Sequence, residues 1–146
     1  MKLYLAGSLF TSAERRWNRT LVRLLRKEKF EVFVPQEIKS SPGVFAPKKI
    51  FELDRSAIDD CDVVVAWIEG PDPDSGTCWE VGYASGRGKF VIGYTTDLRF
   101  FLADYGRHDL NLMLTCGVSK FLRFNCNTSP QQVATKITQT IESWFK

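Results

Sequence analysis

Short apolar runs alternate with longer amphipathic segments along the chain. The apolar runs predict five strands, at 3–6, 30–34, 62–68, 90–94 and 120–124. The run at 62–68, DVVVAWI, is almost continuously apolar, which is typical of a parallel strand covered on both faces. Between the strands, apolar residues recur at helical spacing, which predicts helices there. One predicted helix runs from about 75 to 87, after the third strand.

Local sequence patterns also indicate where other helices begin. Thr11 and Glu14 form the T-x-x-E pattern of a capping box, and Ser129 and Gln132 form an S-x-x-Q pattern before the last helix. A further helix is predicted over 47–60. Its expected buried stripe consists of Ile50, Leu53, Ala57 and Ile58.

This alternation of strands and helices predicts an α/β fold. We expect a five-stranded, mostly parallel sheet with helices on both faces, in a single domain over 1–146. In open sheets of this kind, ligands bind at the carboxyl ends of the strands. We therefore look for candidate catalytic and binding residues in the segments that follow the first, third and fourth strands, and such residues do cluster there.

Composition excludes several functional classes. The formal charge of +3 is mild, and no basic face interleaved with aromatic residues predicts nucleic-acid binding. No apolar run approaches the length that would span a membrane. His108 is the only histidine, so metal cages built on several histidines are excluded. The cysteines form no C-x-x-C pair, which favours reduced, mostly packed thiols in a cytoplasmic protein; they are Cys61, Cys78, Cys116 and Cys126.

Carboxylates at the start of the third predicted helix and near the end of the second are the main chemical candidates. Asp74 fits a helix N-cap, and Glu80 follows in the first turns, where the positive helix end should keep it ionised and nucleophilic. Gly76, between them, allows close approach of a ligand to the backbone. Asp54 lies beside the apolar stripe of the helix at 47–60. On this local pattern alone, an ordinary capped helix with a surface glutamate is the simpler interpretation.

Four segments in order make the chain resemble a known family. They are LYLAGSLFT, FELDRSAIDDCDVVVA, PDSGTCWEVGYA and YGRHDLNLML, and they fall within 3–118. Their D-x-G-x-x-x-E-x-G and N-L-M patterns resemble the nucleoside 2-deoxyribosyltransferases. The resemblance implies a flavodoxin-like three-layer sandwich, a homo-oligomer with sites shared between subunits, and no cofactor or metal. It also implies deoxyribonucleosides and free nucleobases as substrates.

The resemblance assigns three catalytic roles. Glu80 would attack C1′ of the sugar and form a covalent deoxyribosyl-glutamate. Tyr4, at the end of the first strand, would orient that carboxylate. Asp54 would protonate the leaving nucleobase and deprotonate the incoming one. Such a pair of carboxyls supplies the nucleophile and the proton that cleavage with retention needs.

The resemblance also implies a set of substrate-binding residues. Asn111 would be lent by a neighbouring subunit to bind a sugar hydroxyl, and Met113 would pack near the ligand. The full set is Gly7, Ser8, Phe10, Asp74, Gly76, Asn111 and Met113.

Two alternatives to the transferase stay open at this point. A related hydrolase would cleave nucleoside 5′-monophosphates, with Gly7-Ser8 at the phosphate and Arg15, Arg16 or Arg19 adding positive charge. A non-catalytic nucleotide-binding module would keep the pocket without turnover. The N-L-M pattern favours sugar recognition by a transferase. The loop at 95–109 is either a lid or a subunit contact.

Overall fold

The five strands form one sheet in which every neighbouring pair is parallel. The computed structural model describes residues 1–38, 46–101 and 110–146. The sheet order is β2-β1-β3-β4-β5. The strands are β1 (Lys2–Gly7), β2 (Glu31–Phe33), β3 (Val63–Trp67), β4 (Phe90–Thr95) and β5 (Lys120–Arg123). The predicted α/β class, strand number and parallel arrangement are confirmed.

Six α-helices connect or flank the described strands, with a 3₁₀ turn at Pro35–Glu37. They are α1 (Ser12–Lys27), α2 (Pro47–Asp60), α3 (Ser75–Gly86), α4 (Leu98–Phe101), α5 (Leu112–Thr115) and α6 (Pro130–Trp144). Both predicted capping boxes are present, at Thr11 with Glu14 and at Ser129 with Gln132. The predicted loop between β4 and β5 also contains two short helices, and its residues 102–109, including His108, lie outside the described residues.

Alternation along the central strands divides the interior into two apolar layers. Leu3 and Leu5 of β1 face a layer that contains α1 and α6, whereas Tyr4 and Ala6 face a layer that contains α2, α3 and α5. The sheet is therefore covered on both faces, which gives the three-layer sandwich that we expected. Tyr4 is fully buried in the middle of β1, not at its end as the sequence suggested.

The strand order reverses between β1 and β3. The chain runs outward from β1 to β2, then returns across β1 to form β3. At the carboxyl edge Gly7 lies opposite Trp67, and a Cβ on Gly7 would come within 3.2 Å of Trp67 Cβ. This crevice is where ligands bind in open parallel sheets.

Two expectations about burial were wrong. Leu53 is 40 % exposed, and the inward position on α2 is taken instead by Asp54, next to buried Ile58. All four cysteines are free, but Cys116 and Cys126 are exposed, so the thiols are not mostly packed.

Candidate active site

Tyr4, Asp54 and Glu80 come together over β1, and we call them the Tyr4 cluster. The Tyr4 hydroxyl donates a hydrogen bond to Glu80 Oε1 at 2.5 Å. The Tyr4 hydroxyl also lies close enough to the Asp54 carboxyl to lower its pKa, against the larger effect of desolvation, so it lies beside both carboxyls. The structure thus brings together three residues from β1, α2 and α3 that are far apart in sequence.

Burial raises the pKa of both carboxyls. The pKa of Glu80 rises to about 7 because the side chain is desolvated, and the Tyr4 hydrogen bond opposes this rise. Desolvation likewise raises the pKa of Asp54 to about 6. Our expectation that the start of α3 would keep Glu80 ionised was wrong in direction. Glu80 is the sixth residue of α3, beyond the first turn in which the helix dipole acts.

Asp54 carries an unused acceptor. Its Oδ1 atom is buried and has no hydrogen-bond partner among the described residues. A buried carboxylate oxygen without a donor destabilises the folded state, because no hydrogen bond offsets the loss of its hydration. A proton on Asp54, or a ligand that donates to it, would remove that cost. The arrangement is suited to exchanging a proton with a bound molecule.

A cavity of about 300 Å³ opens at the carboxyl edge of β1 and β3. We call it the acidic cavity, because every titratable group that lines it within the described ranges is a carboxylate. Its lining residues are Ser8, Glu14, Trp67, Glu69, Asp72 and Asp74. It adjoins the Tyr4 cluster through Asp74, which is close enough to raise the pKa of Glu80 by charge repulsion.

Asp74 is the N-cap of α3, as predicted. One of its oxygens, Oδ2, accepts from the Thr77 backbone N–H at 2.8 Å and from Thr77 Oγ1 at 2.9 Å. A Cβ on Gly76 would lie 3.2 Å from the same oxygen, so this glycine leaves room for the cap. The cap uses Oδ2, whereas Oδ1 of Asp74, a residue that lines the cavity, accepts no hydrogen bond from the described residues.

Three other predicted binding residues are exposed: Phe10, Asn111 and Met113. Phe10 is 76 % exposed ahead of α1. Asn111 is the N-cap of α5, where its Oδ1 accepts from the Met113 backbone N–H at 2.9 Å. Met113 is 81 % exposed. Their part in binding stays a prediction.

None of the three arginines considered for a phosphate lines the acidic cavity. Arg15 donates to the Leu9 carbonyl at 3.3 Å. Arg16 and Arg19 instead line a larger open groove along α1, about 660 Å³ in volume. That groove contains none of the Tyr4 cluster, so we place the candidate site in the smaller acidic cavity and the adjoining cluster.

Sequence reasoning missed Trp67 and Glu69, at and just after the end of β3. Trp67 stacks against Trp17 and Tyr94, at ring-centroid distances of 5.4 and 6.4 Å. Its Nε1 donates to Glu69 Oε1 at 2.6 Å. The position of both residues at a strand's carboxyl end is the signal that points to them.

Among the described residues, no group of three or more His, Cys, Asp or Glu side chains is arranged to hold a metal ion. In the same ranges, no helix has both the length and the apolar character needed to cross a membrane.

Comparison with known structures gives the same architecture. A conserved protein from Enterococcus faecalis superposes with a TM-score of 0.75 and 26 % identity, covering 96 % of this chain and 98 % of that one. The 2-deoxyribosyltransferase from Bacillus psychrosaccharolyticus gives 0.70 and 24 %, covering 92 % and 90 %. A CMP N-glycosidase from Clostridium botulinum gives 0.66 and 20 %, covering 95 % and 99 %. The last two likenesses establish a shared fold.

Sequence comparison identifies the family. An uncharacterized protein of Schizosaccharomyces pombe is 40 % identical over 65 residues, which are 42 % of this chain and 31 % of that protein. The match therefore spans less than a third of the length of that relative. Residues 3–118 match the family described as nucleoside 2-deoxyribosyltransferase. Since this match covers most of the chain, the protein belongs to the nucleoside 2-deoxyribosyltransferase family.

Proposed function

We propose that this protein exchanges the nucleobase of 2′-deoxyribonucleosides through a covalent deoxyribosyl intermediate on Glu80. The observation that carries the proposal is the Tyr4 cluster. It supplies one carboxylate held by a tyrosine hydroxyl and a second carboxyl with an unpartnered buried oxygen. Pairs of carboxyls in distinct environments are how proteins provide a nucleophile and a proton at one site.

The chemistry proceeds in two displacements at C1′. An oxygen of Glu80 forms a bond to C1′ as the C1′–N bond breaks, and the leaving nucleobase takes that electron pair together with a proton from Asp54. An incoming base then attacks C1′, gives its proton to Asp54, and releases the Glu80 carboxylate. Two inversions at one carbon retain the original configuration.

Tyr4 keeps Glu80 in position for this attack. Its hydrogen bond occupies Oε1, which leaves Oε2 free to approach C1′. The same bond stabilises the carboxylate form of Glu80 against the effect of burial. Burial raises the pKa of Glu80 to about 7 and that of Asp54 to about 6. A nucleobase that accepts a hydrogen bond from protonated Asp54 would favour the reactive form, with Glu80 ionised and Asp54 protonated.

A homo-oligomer with shared sites fits the exposed side chains at the start of α5. Asn111 and Met113 do not belong to the Tyr4 cluster of their own chain, and Leu112 and Met113 are 72 % and 81 % exposed. A neighbouring subunit that receives these side chains would cover their apolar surface and shield the intermediate from water. A cytoplasmic role in nucleoside salvage stays a prediction.

Two alternatives receive less support. A 5′-monophosphate hydrolase needs positive charge for the phosphate, whereas the cavity beside Ser8 is lined by four carboxylates and by none of the three candidate arginines. A non-catalytic binding module has no need of two carboxyls with raised pKa values beside a tyrosine, a combination typical of catalytic sites.

Chromatography of reaction mixtures tests the proposal. The protein is incubated with 2′-deoxyinosine or thymidine, with and without free adenine or cytosine. We expect a new deoxynucleoside only when the acceptor base is present. In Glu80→Gln, the rate should fall by at least about a thousandfold, because the nucleophile is lost. Without an acceptor, the wild-type peptide that contains Glu80 should gain the mass of one deoxyribosyl group.

Glu142→Gln provides the matched control, because Glu142 is exposed on α6, away from the site. It should retain full exchange activity. Base release from dIMP or dTMP without acceptor, and no exchange, would favour the hydrolase. Substantial exchange by folded Glu80→Gln would contradict the role of Glu80.

A further inference from the structure

Glu69 is fixed at the wall of the acidic cavity by donors that all act on one of its oxygens. Oε1 accepts from Trp67 Nε1 at 2.6 Å, from Thr96 Oγ1 at 2.8 Å and from Thr95 Oγ1 at 3.3 Å. The Thr96 backbone N–H is a fourth donor to the same atom. Oε2 receives no hydrogen bond from the described residues, so it remains available to a group in the cavity.

The residues around Glu69 hold it rigidly. Trp67 cannot turn away without breaking its stacking on Trp17 and Tyr94. Thr96 follows β4, the strand next to β3 in the sheet. A carboxylate that is held by four donors and packed against a stacked indole keeps its place whether or not a ligand is present, which is the property that a selective site requires.

The rest of the cavity also presents acceptors. Glu14 Oε2 is fixed by the backbone N–H groups of Thr11 and Phe10, at 2.7 and 2.9 Å. Behind Ser8, Asn18 is 2 % exposed, its Nδ2 donates to the Ser8 carbonyl at 3.0 Å, and its Oδ1 has no partner among the described residues. Asp72 is exposed at the rim. The neighbouring cation Arg99 is paired with Asp97.

We propose that Glu69 is a specificity-determining residue, which accepts a hydrogen bond from the free 5′-hydroxyl of the sugar and rejects a 5′-phosphate. This inference rests on the proposed function. With C1′ at Glu80 and the base at Asp54, the remaining end of the nucleoside is C5′. Asp74 lines the cavity and is close enough to Glu80 to raise its pKa, whereas Asp54 does not line the cavity, so we take C5′ as the end that enters it.

The negative charge of the cavity favours the nucleoside over its 5′-monophosphate. A hydroxyl donates to Glu69 Oε2 or Asp74 Oδ1 and repays their desolvation. A phosphate offers only acceptors and a negative charge to a wall of four carboxylates, where like charges at short range repel strongly. The cavity therefore selects the nucleoside as much by repelling the 5′-phosphate as by binding the 5′-hydroxyl.

Calorimetric binding tests this in the Glu80→Ala protein, which cannot form the covalent intermediate. The probes are 2′-deoxyinosine and 2′-deoxyinosine 5′-monophosphate. We expect the monophosphate to bind at least about tenfold more weakly. Adding Glu69→Gln should reduce this ratio by roughly three- to tenfold, and by more at low salt than at high salt.

Asp72→Asn is the second variant. It removes one carboxylate from the same cavity and breaks none of the hydrogen bonds to Trp67 or Thr96. It should also reduce the ratio, by a smaller factor because Asp72 is exposed, whereas Glu142→Gln should leave the ratio unchanged. The proposal is overturned if the monophosphate binds as tightly as the nucleoside, if neither binds, or if Glu69→Gln leaves the ratio unchanged. Base exchange by the wild type is measured separately, so loss of the proposed function and loss of this selection are distinguishable.

Discussion

At the scale of single residues, Glu80 and Asp54 bind protons more tightly in the folded protein than in the unfolded chain. Burial raises the pKa of Glu80 from 4.5 to about 7 and that of Asp54 from 3.8 to about 6. The folded state therefore holds more protons between these limits, and the free energy of unfolding decreases as pH rises through them. Below the pKa values of the unfolded chain, both carboxyls are protonated in both the folded and the unfolded state, and this destabilising effect is absent.

Glu80→Gln tests this linkage. The amide cannot ionise, so the variant should escape the loss of stability that builds up in the wild type between about pH 4.5 and 7. A pKa rise of this size corresponds to a few kcal/mol at most, and we expect a gain of about 2 kcal/mol at pH 8 and little difference at pH 4. Denaturant unfolding at both pH values measures it. Glu142→Gln should change stability by less than about 0.5 kcal/mol at either pH. Equal stability of Glu80→Gln and wild type at pH 8 would contradict the raised pKa.

Sequence reasoning found Glu80 but not its environment, for a physical reason. The D-x-G-x-x-x-E-x-G pattern lies within α3 and is visible locally. The pKa of Glu80 depends on burial beside Tyr4, whose hydroxyl comes from a strand 76 positions away. Glu69 was missed for the same reason, because two of its donors come from Thr96, 27 positions later.

At the scale of secondary-structure elements, local sequence patterns predicted correctly where two helices begin, but they did not predict which side of α2 faces the protein interior. The capping boxes involve neighbouring residues alone, so they could be predicted at Thr11 and Ser129. On α2, apolar periodicity favoured Leu53 as an inward residue, whereas Asp54 faces the cluster and Leu53 is 40 % exposed. Successive helix positions differ by about 100°, and a polar residue displaces an apolar one only where function needs it.

Asp74 caps α3, and in our proposal it also contacts the substrate; a substitution can separate the two roles. Asp74→Ser keeps a good N-cap for the Thr77 backbone N–H but removes the carboxylate from the cavity. We expect stability within about 0.5 kcal/mol of wild type and a KM for deoxynucleosides raised by about tenfold, the loss of one hydrogen bond. Thermal unfolding and steady-state kinetics measure the two effects.

Ser129→Ala, at the N-cap of α6, serves as the control for loss of a cap alone. It should cost about 1 kcal/mol of stability and leave KM unchanged. If Asp74→Ser showed wild-type KM, Asp74 would be a capping residue without a part in substrate binding.

At the scale of the whole molecule, the sheet order follows from the sequence pattern but the assembly does not. Alternating strands and helices with right-handed crossovers leave few possible arrangements, and the five parallel strands adopt one of them. The exposed apolar side chains include Phe10, Phe51, Trp79, Leu112 and Met113. No periodicity within one chain indicates whether a neighbouring subunit covers any of these, because that depends on the surface of a second molecule.

Mixing two inactive variants tests the shared site. If Glu80 and Asn111 of one site come from different subunits, Glu80→Ala and Asn111→Ala each inactivate every site when alone. In randomly re-formed dimers, half are mixed and each mixed dimer has one intact site, so activity should return to about a quarter of wild type. Differently tagged subunits, co-purified after mixing, establish that exchange took place. Mixed oligomers without recovered activity would show that Glu80 and Asn111 act within one chain, or that Asn111 does not act at the site. The first of these outcomes would require α5 to carry Asn111 toward the Tyr4 cluster of its own subunit, since its side chain here caps α5 by accepting from Met113.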